Sequence, residues 1–187
     1  VLHGWGANAQ DLASLVPLVN LPNYHFLFPD APFSHPQVPG GKMWYDLGRE
    51  DYKGLALSQE LLIDWLKSLE GLTGLPLEST ILSGFSQGGA MTLDVGLTLP
   101  LAGLVCMSGY LHRTPQDLEP PLPSLLIVHG RQDTVVPLSA AQRVRDYLLN
   151  LGAPMQYKEF DMGHEIRPEV LDVIREFILV NTNTPPS

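Results

Sequence analysis

Two kinds of pattern alternate along this chain. Short, nearly continuous apolar runs occupy residues 24–28, 80–83, 103–107, 125–129 and 155–160. Longer stretches between them carry apolar residues every three or four positions. The first kind predicts strands buried on both faces, as in a parallel sheet. The second predicts amphipathic helices. Leu55, Leu62, Leu66 and Leu69 would share one side of a helix over 55–69. Gln10 to about Val19 reads as an earlier helix, and 90–99 as a helical run behind the second strand. Ser139-Ala140-Ala141-Gln142 has the spacing of a capping box and opens a helix to about Leu151, with Gly152 as its stop. Val170, Val173, Ile174, Phe177 and Ile178 form the stripe of a last helix. Strand and helix in alternation predict an α/β fold: a mostly parallel, twisted sheet with helices on both faces. The Pro-rich stretch 114–123 reads as a loop and Pro185-Pro186-Ser187 as a frayed tail, so one domain over 1–187 is expected.

Composition narrows the class. With 44% apolar and 17% charged residues, the 187-residue chain has the material for a core. Eleven basic against twenty acidic residues give a net charge of −9 and no basic block, a poor match to nucleic acid. The lone Cys106 permits neither an internal disulfide nor a thiolate metal cluster. No apolar stretch reaches the roughly 18 residues of a membrane span. No leader pattern is visible, and a cytoplasmic location is expected. The chain opens Val1-Leu2-His3-Gly4, without Met, in what reads as the end of a strand. Residues upstream are therefore expected, N-terminal strands of the sheet among them.

In an open parallel sheet, chemistry sits beyond the carboxyl ends of the strands. Gly84-Phe85-Ser86-Gln87-Gly88 falls between a strand and a helical run, where a serine on a sharp turn would hold its hydroxyl above the sheet. A serine needs a base, and the base needs an orienting acid. Asp133 follows the strand 125–129, and His164 follows the strand 155–160 beside Gly163. The order Ser86, Asp133, His164 suits an α/β-hydrolase relay: His164 as base, Asp133 fixing its tautomer. Asp161 is a rival acid, badly placed three residues from His164. His25 and His129 read as packed strand residues, and His35 and His112 as loop residues without a motif. The oxyanion donors would be the backbone N–H groups of Gln87 and of Trp5, within His3-Gly4-Trp5-Gly6. Substrate-wall candidates are Met43, Trp44, Tyr110 and Val135, with Trp5, Leu111 and Ile166 beside them.

Taken together, six segments resemble the α/β-hydrolase superfamily, and more narrowly its phospholipase/carboxylesterase family. They are His3-Gly4-Trp5-Gly6-Ala7-Asn8, Phe28-Pro29-Asp30-Ala31-Pro32, Met43-Trp44-Tyr45-Asp46, Gly84 to Met91, His129-Gly130-x-x-Asp133-x-Val135-Val136-Pro137 and Gly163-His164-Glu165. The resemblance implies Ser86, Asp133 and His164 as triad, Trp5 and Gln87 as oxyanion donors, and Trp44 close to the site. Trp5 departs from the leucine common in the family, which would reshape the pocket mouth. The expected activity is hydrolysis of small-molecule carboxylic esters with small to medium acyl chains, without cofactor or metal. Thioester or lysophospholipid hydrolysis is the alternative within the same chemistry. A non-catalytic binding module on the same fold is the alternative of another class.

Overall fold

The computed structural model of the chain describes residues 1–115, 118 and 121–182. The stretch 114–123 lies partly, and Pro185-Pro186-Ser187 wholly, outside the described residues.

The centre is a four-stranded parallel sheet. Its strands β3 (Ile81–Phe85), β4 (Gly103–Met107), β5 (Ser124–Gly130) and β6 (Met155–Phe160) lie in chain order. Their side chains split between two cores according to the pleat. Leu104, Cys106, Leu125 and Ile127 face one way, onto α3 (Leu55–Thr73), α4 (Gln87–Gly96) and α5 (Leu138–Asn150). Val105, Met107, Leu126 and Val128 face the other, onto α2 (Val16–Val19) and α6 (Pro168–Thr182). Every residue of β4 is buried, so its lack of alternation reflects helices on both sides. The buried faces of α3 and α6 are the stripes read from the sequence: Leu55, Leu62, Leu66 and Leu69 on one, Val170, Ile174, Phe177 and Ile178 on the other.

Four expectations are corrected. Residues 24–28 build no ladder. Their neighbour is Val1–Leu2: the Val1 nitrogen donates to the Leu27 carbonyl at 2.7 Å, and Leu2 makes a single parallel bridge to Gly84 before the chain leaves the sheet. His25 is accordingly exposed rather than packed. The helix expected over 10–19 is two pieces, α1 (Ala9–Ala13) and α2, because Pro17 lacks the N–H that would continue the ladder. Asn8 caps α1 with a capping box closed by Asp11. At α5 the helix starts at Leu138, two residues before the start a Ser139 cap would give. Ser139 therefore lies inside the first turn, without the capping bond, and accepts from Arg143 at 3.4 Å instead. The helix does end as read: the N–H groups of Gly152 and Ala153 close back on the carbonyls of Leu149 and Leu148. A two-stranded antiparallel pair, β1 (Phe33–Ser34) with β2 (Lys42–Met43), lies outside the main sheet and was not anticipated.

Candidate active site

β3 runs two residues further than the apolar pattern suggested, through Gly84 and Phe85, and hands over directly to α4. Ser86 is the hinge between them, with φ 56° and ψ −117°. A side chain in that region costs about 1–3 kcal/mol, and the surroundings must hold it there. They do so through the Ser86 N–H on the Met107 carbonyl at 2.9 Å and the Ala90 N–H on the Ser86 carbonyl at 3.0 Å. The flanking glycines are dictated by close approach. A methyl on Gly84 would stand 2.1 Å from the Gly88 carbonyl oxygen, and one on Gly88 would stand 2.3 Å from that of Leu2.

The structure brings Ser86, Asp133 and His164 together from the ends of β3, β5 and β6. His164 Nε2 lies 2.9 Å from Ser86 Oγ, and His164 Nδ1 lies 2.7 Å from Asp133 Oδ2. An ionised carboxylate can only accept, so the proton sits on Nδ1 and the Nε2 lone pair faces the hydroxyl. Asp133 Oδ1 takes the N–H groups of Val135 at 2.9 Å and Val136 at 2.8 Å. Burial acts to raise the Asp133 carboxyl. The bond from His164 and the two backbone N–H groups outweigh it, so its pKa falls below 3.8. The His164 ring also packs against Phe85, with centroids 4.8 Å apart. Asp161, the rival acid, is turned to solvent and accepts from Arg131 at 2.7 Å.

The loop over residues 3–6 lies across the hinge: a methyl on Gly4 would stand 3.4 Å from Ser86 Cβ. His3 governs this loop. The Ala31 N–H donates to His3 Nε2 at 3.0 Å, which places the ring proton on Nδ1, and Nδ1 donates to the Gly4 carbonyl at 2.8 Å. In a trans peptide the C=O and the following N–H point oppositely. Fixing the Gly4 carbonyl therefore fixes the direction of the Trp5 N–H. Burial lowers the His3 pKa below 6.5 and favours the neutral ring this arrangement needs. Among the described residues, neither the Trp5 nor the Gln87 backbone N–H is taken by a protein acceptor.

The candidate wall residues fall in different places. Trp5 is 40% exposed and Val135 65% exposed at the rim. Trp44 is buried, with its indole N–H on the His3 carbonyl at 3.0 Å, so it lies beneath the loop rather than open to solvent. Met43 and Leu111 are half-buried. Tyr110 shares a 2.6 Å hydrogen bond between its hydroxyl and that of Tyr45. Ile166 borders a separate apolar cavity of about 590 Å³ between β3, α3, α6 and residues 24–28, which Ser86, Asp133 and His164 do not line.

Three histidines near the site make contacts of note: His129 is packed as the sequence suggested, while the partners of His112 and His35 were not anticipated. His129 is fully buried behind Asp133, its Nε2 donating to the Val136 carbonyl at 2.9 Å and standing 3.5 Å from Asp133 Oδ2. The motif around Asp133 contains this histidine, so the signal was present. His112 lies 2.6 Å from Asp94 by its Nδ1 and bonds the Tyr45 hydroxyl by its Nε2. No spacing along the chain announces that cluster. His35 accepts the Gln37 and Val38 N–H groups on Nδ1, each at 3.1 Å, and packs edge-on against Trp5. Among the described residues no three of His, Cys, Asp and Glu converge as metal ligands.

Chain order narrows the class of protein. Serine first, acid second and histidine last, each behind a different strand of a parallel sheet, is the order of the α/β-hydrolases. Within that class the chain belongs to the phospholipase/carboxylesterase family, whose sequence profile matches residues 1–182. It is 31% identical to acyl-protein thioesterase 1 of Neurospora crassa, over 95% of this chain and 83% of that protein. It is 26% identical to carboxylesterase SOBER1 of Arabidopsis thaliana, over 95% of this chain and 87% of that one. Among solved structures, esterase PE8 superposes with a TM-score of 0.85 at 32% identity, covering 95% of this chain and 88% of its own. No helix among the described residues is long and apolar enough to cross a membrane.

Proposed function

We propose that this protein is a serine hydrolase that cleaves carboxylic esters through an acyl-enzyme. The observation that carries the reading is the unbroken relay from Asp133 Oδ2 through the His164 ring to Ser86 Oγ, at 2.7 and 2.9 Å. Ser86 Oγ attacks the carbonyl carbon while its proton passes to His164 Nε2. The carbonyl oxygen becomes an oxyanion, received by the N–H groups of Trp5 and Gln87. Asp133 stabilises the imidazolium without taking its proton. Collapse of the intermediate expels the alkoxide, which leaves with the proton from His164. Water then repeats the sequence on the acyl-enzyme, releasing the acid and restoring Ser86.

Trp5 and Val135 offer the substrate an apolar rim, with Met43 and Tyr110 behind it, which suits small to medium acyl chains. Trp44 supports the loop from below. A thioester would follow the same steps with a thiolate leaving, and the thioesterase name of the Neurospora crassa relative favours this as the second reading. A cytoplasmic location suits the free, buried Cys106. That thiol is pushed up to about 12 by burial and offers no rival nucleophile.

The test is a single substitution. A fluorophosphonate should label the parent at Ser86. Ser86→Ala should lose labelling and at least about 10³-fold of p-nitrophenyl ester turnover. Undiminished turnover in that variant would refute the assignment.

A further inference from the structure

The proposed oxyanion site has its two donors on segments far apart in the chain: the Trp5 N–H on the loop over residues 3–6, and the Gln87 N–H at the start of α4. Both must reach one oxygen, at about 2.7–3.1 Å each, so their spacing matters more than the presence of either. A third segment joins them. The Gln87 side chain is buried, with 1% exposure, and its amide bonds the backbone of two successive residues. Its Nε2 donates to the Tyr45 carbonyl at 2.8 Å, and its Oε1 accepts the Trp44 N–H at 2.9 Å. The Trp44 indole then donates to the His3 carbonyl at 3.0 Å. Further back, the Gly6 N–H donates to the Lys42 carbonyl at 2.8 Å, and the Lys42 N–H to the Ala7 carbonyl at 2.7 Å. The Ser58 hydroxyl fastens the Trp44 carbonyl to α3.

Residues 42–45 thus form a strut. One end grips the loop on either side of Trp5, and the other grips the residue that carries the second donor. Gln87 is polar on a helix whose other buried side chains include Met91, Leu93 and Val95. An apolar residue there would serve packing alone. The amide serves geometry.

We infer that the Gln87 side chain and the Trp44 indole N–H are positioning groups that set the spacing of the two oxyanion donors. The inference rests on the hydrolase reading above. It predicts a loss in the transition state rather than in substrate binding. Trp44→Phe keeps an aromatic ring, smaller than the indole, and removes the bond to His3. Gln87→Met keeps the length and removes both bonds to residues 44 and 45.

The experiment compares parent and both variants for kcat and KM with p-nitrophenyl butyrate, for inhibition by phenylboronic acid, and for thermal melting. Phenylboronic acid adds to a serine oxygen as a tetrahedral anion and so reads the oxyanion site directly. Trp44→Phe should lose about tenfold in kcat, and Gln87→Met up to about a hundredfold, with KM changed by no more than about twofold. The inhibition constant should rise in step with the loss in kcat/KM. If Gln87→Met fails to fold, Trp44→Phe decides alone. A folded variant that keeps kcat, or loses kcat while binding phenylboronic acid as tightly as the parent, overturns the inference and leaves the hydrolase reading standing. A parent that neither binds phenylboronic acid nor turns over ester overturns both.

Discussion

The Asp133 carboxylate has its two oxygens committed in different directions. Oδ1 is filled by the N–H groups of Val135 and Val136, and Oδ2 faces His164 with His129 behind it. Asp133→Asn cannot satisfy this arrangement. If the amide nitrogen takes the Oδ1 place, it meets two backbone donors. If it takes the Oδ2 place, it donates to His164 Nδ1, which then carries no proton. The tautomer reverses, and Nε2–H rather than a lone pair faces Ser86. The fold has little reason to fail, since shape and volume are kept. The expected outcome is a loss of about 10⁴ in kcat with little change in KM, read from steady-state ester hydrolysis. A loss of less than about tenfold would mean that His164 is oriented by something other than Asp133.

At the level of elements, β4, β5, β6, α3 and α6 could be read from the chain because periodicity reports burial directly. The hinge at Ser86 could be read because a serine between two glycines, set between a strand and a helical run, marks a sharp turn in the local sequence. What stayed hidden was partly local and partly dependent on partners remote in sequence. The broken helix at Pro17 and the shifted start of α5 are settled by a residue or two of local geometry. Residues 24–28, expected as a strand, meet Val1 at Leu27 without forming a ladder. The Gln87 amide, read only for its backbone N–H, meets Trp44 and Tyr45 across more than 40 positions. The glycines allow a sharp test of which contacts are binding. On α3, a methyl at Gly71 meets nothing within 4 Å, whereas at Gly88 it meets the carbonyl oxygens of Leu2 and His3 at 2.3 and 2.6 Å. Gly71→Ala should therefore stabilise by up to about 1 kcal/mol through helix propensity. Gly88→Ala should cost about 3 kcal/mol, because backbone cannot yield there without moving the hinge. Urea denaturation midpoints of the two variants would move in opposite directions, and equal midpoints would show that the hinge has more slack than its geometry implies.

For the whole molecule, the sheet with its two cores holds three strand ends at one rim, while the loop over residues 3–6 is held by a neutral histidine together with Lys42 and Trp44. That division makes stability depend on pH. The chain carries a net charge of −9 at pH 7, so mild acid relieves repulsion among its carboxylates. Two groups act against this relief. Asp133 has a folded pKa below 3.8, so its contribution is present above that value and is lost as pH falls through the folded pKa. His3 has a folded pKa below 6.5, so the unfolded chain binds the proton more readily than the folded one. Its contribution is complete above pH 6.5 and fades as pH falls toward the folded value. The cause is burial of the ring, and geometry adds to it, since a protonated ring would turn a second N–H on that of Ala31. His3→Gln offers a neutral comparison, since an amide can donate to the Gly4 carbonyl and accept from Ala31 without titrating. Between pH 7 and 5 the melting temperature of the parent should fall further than that of His3→Gln, by a difference on the order of a few degrees. Every other side chain is common to the two proteins, so the difference reports His3 alone. Parallel curves would mean that the loop tolerates a charged imidazole, and would remove His3 from the account of how the Trp5 N–H is held in place.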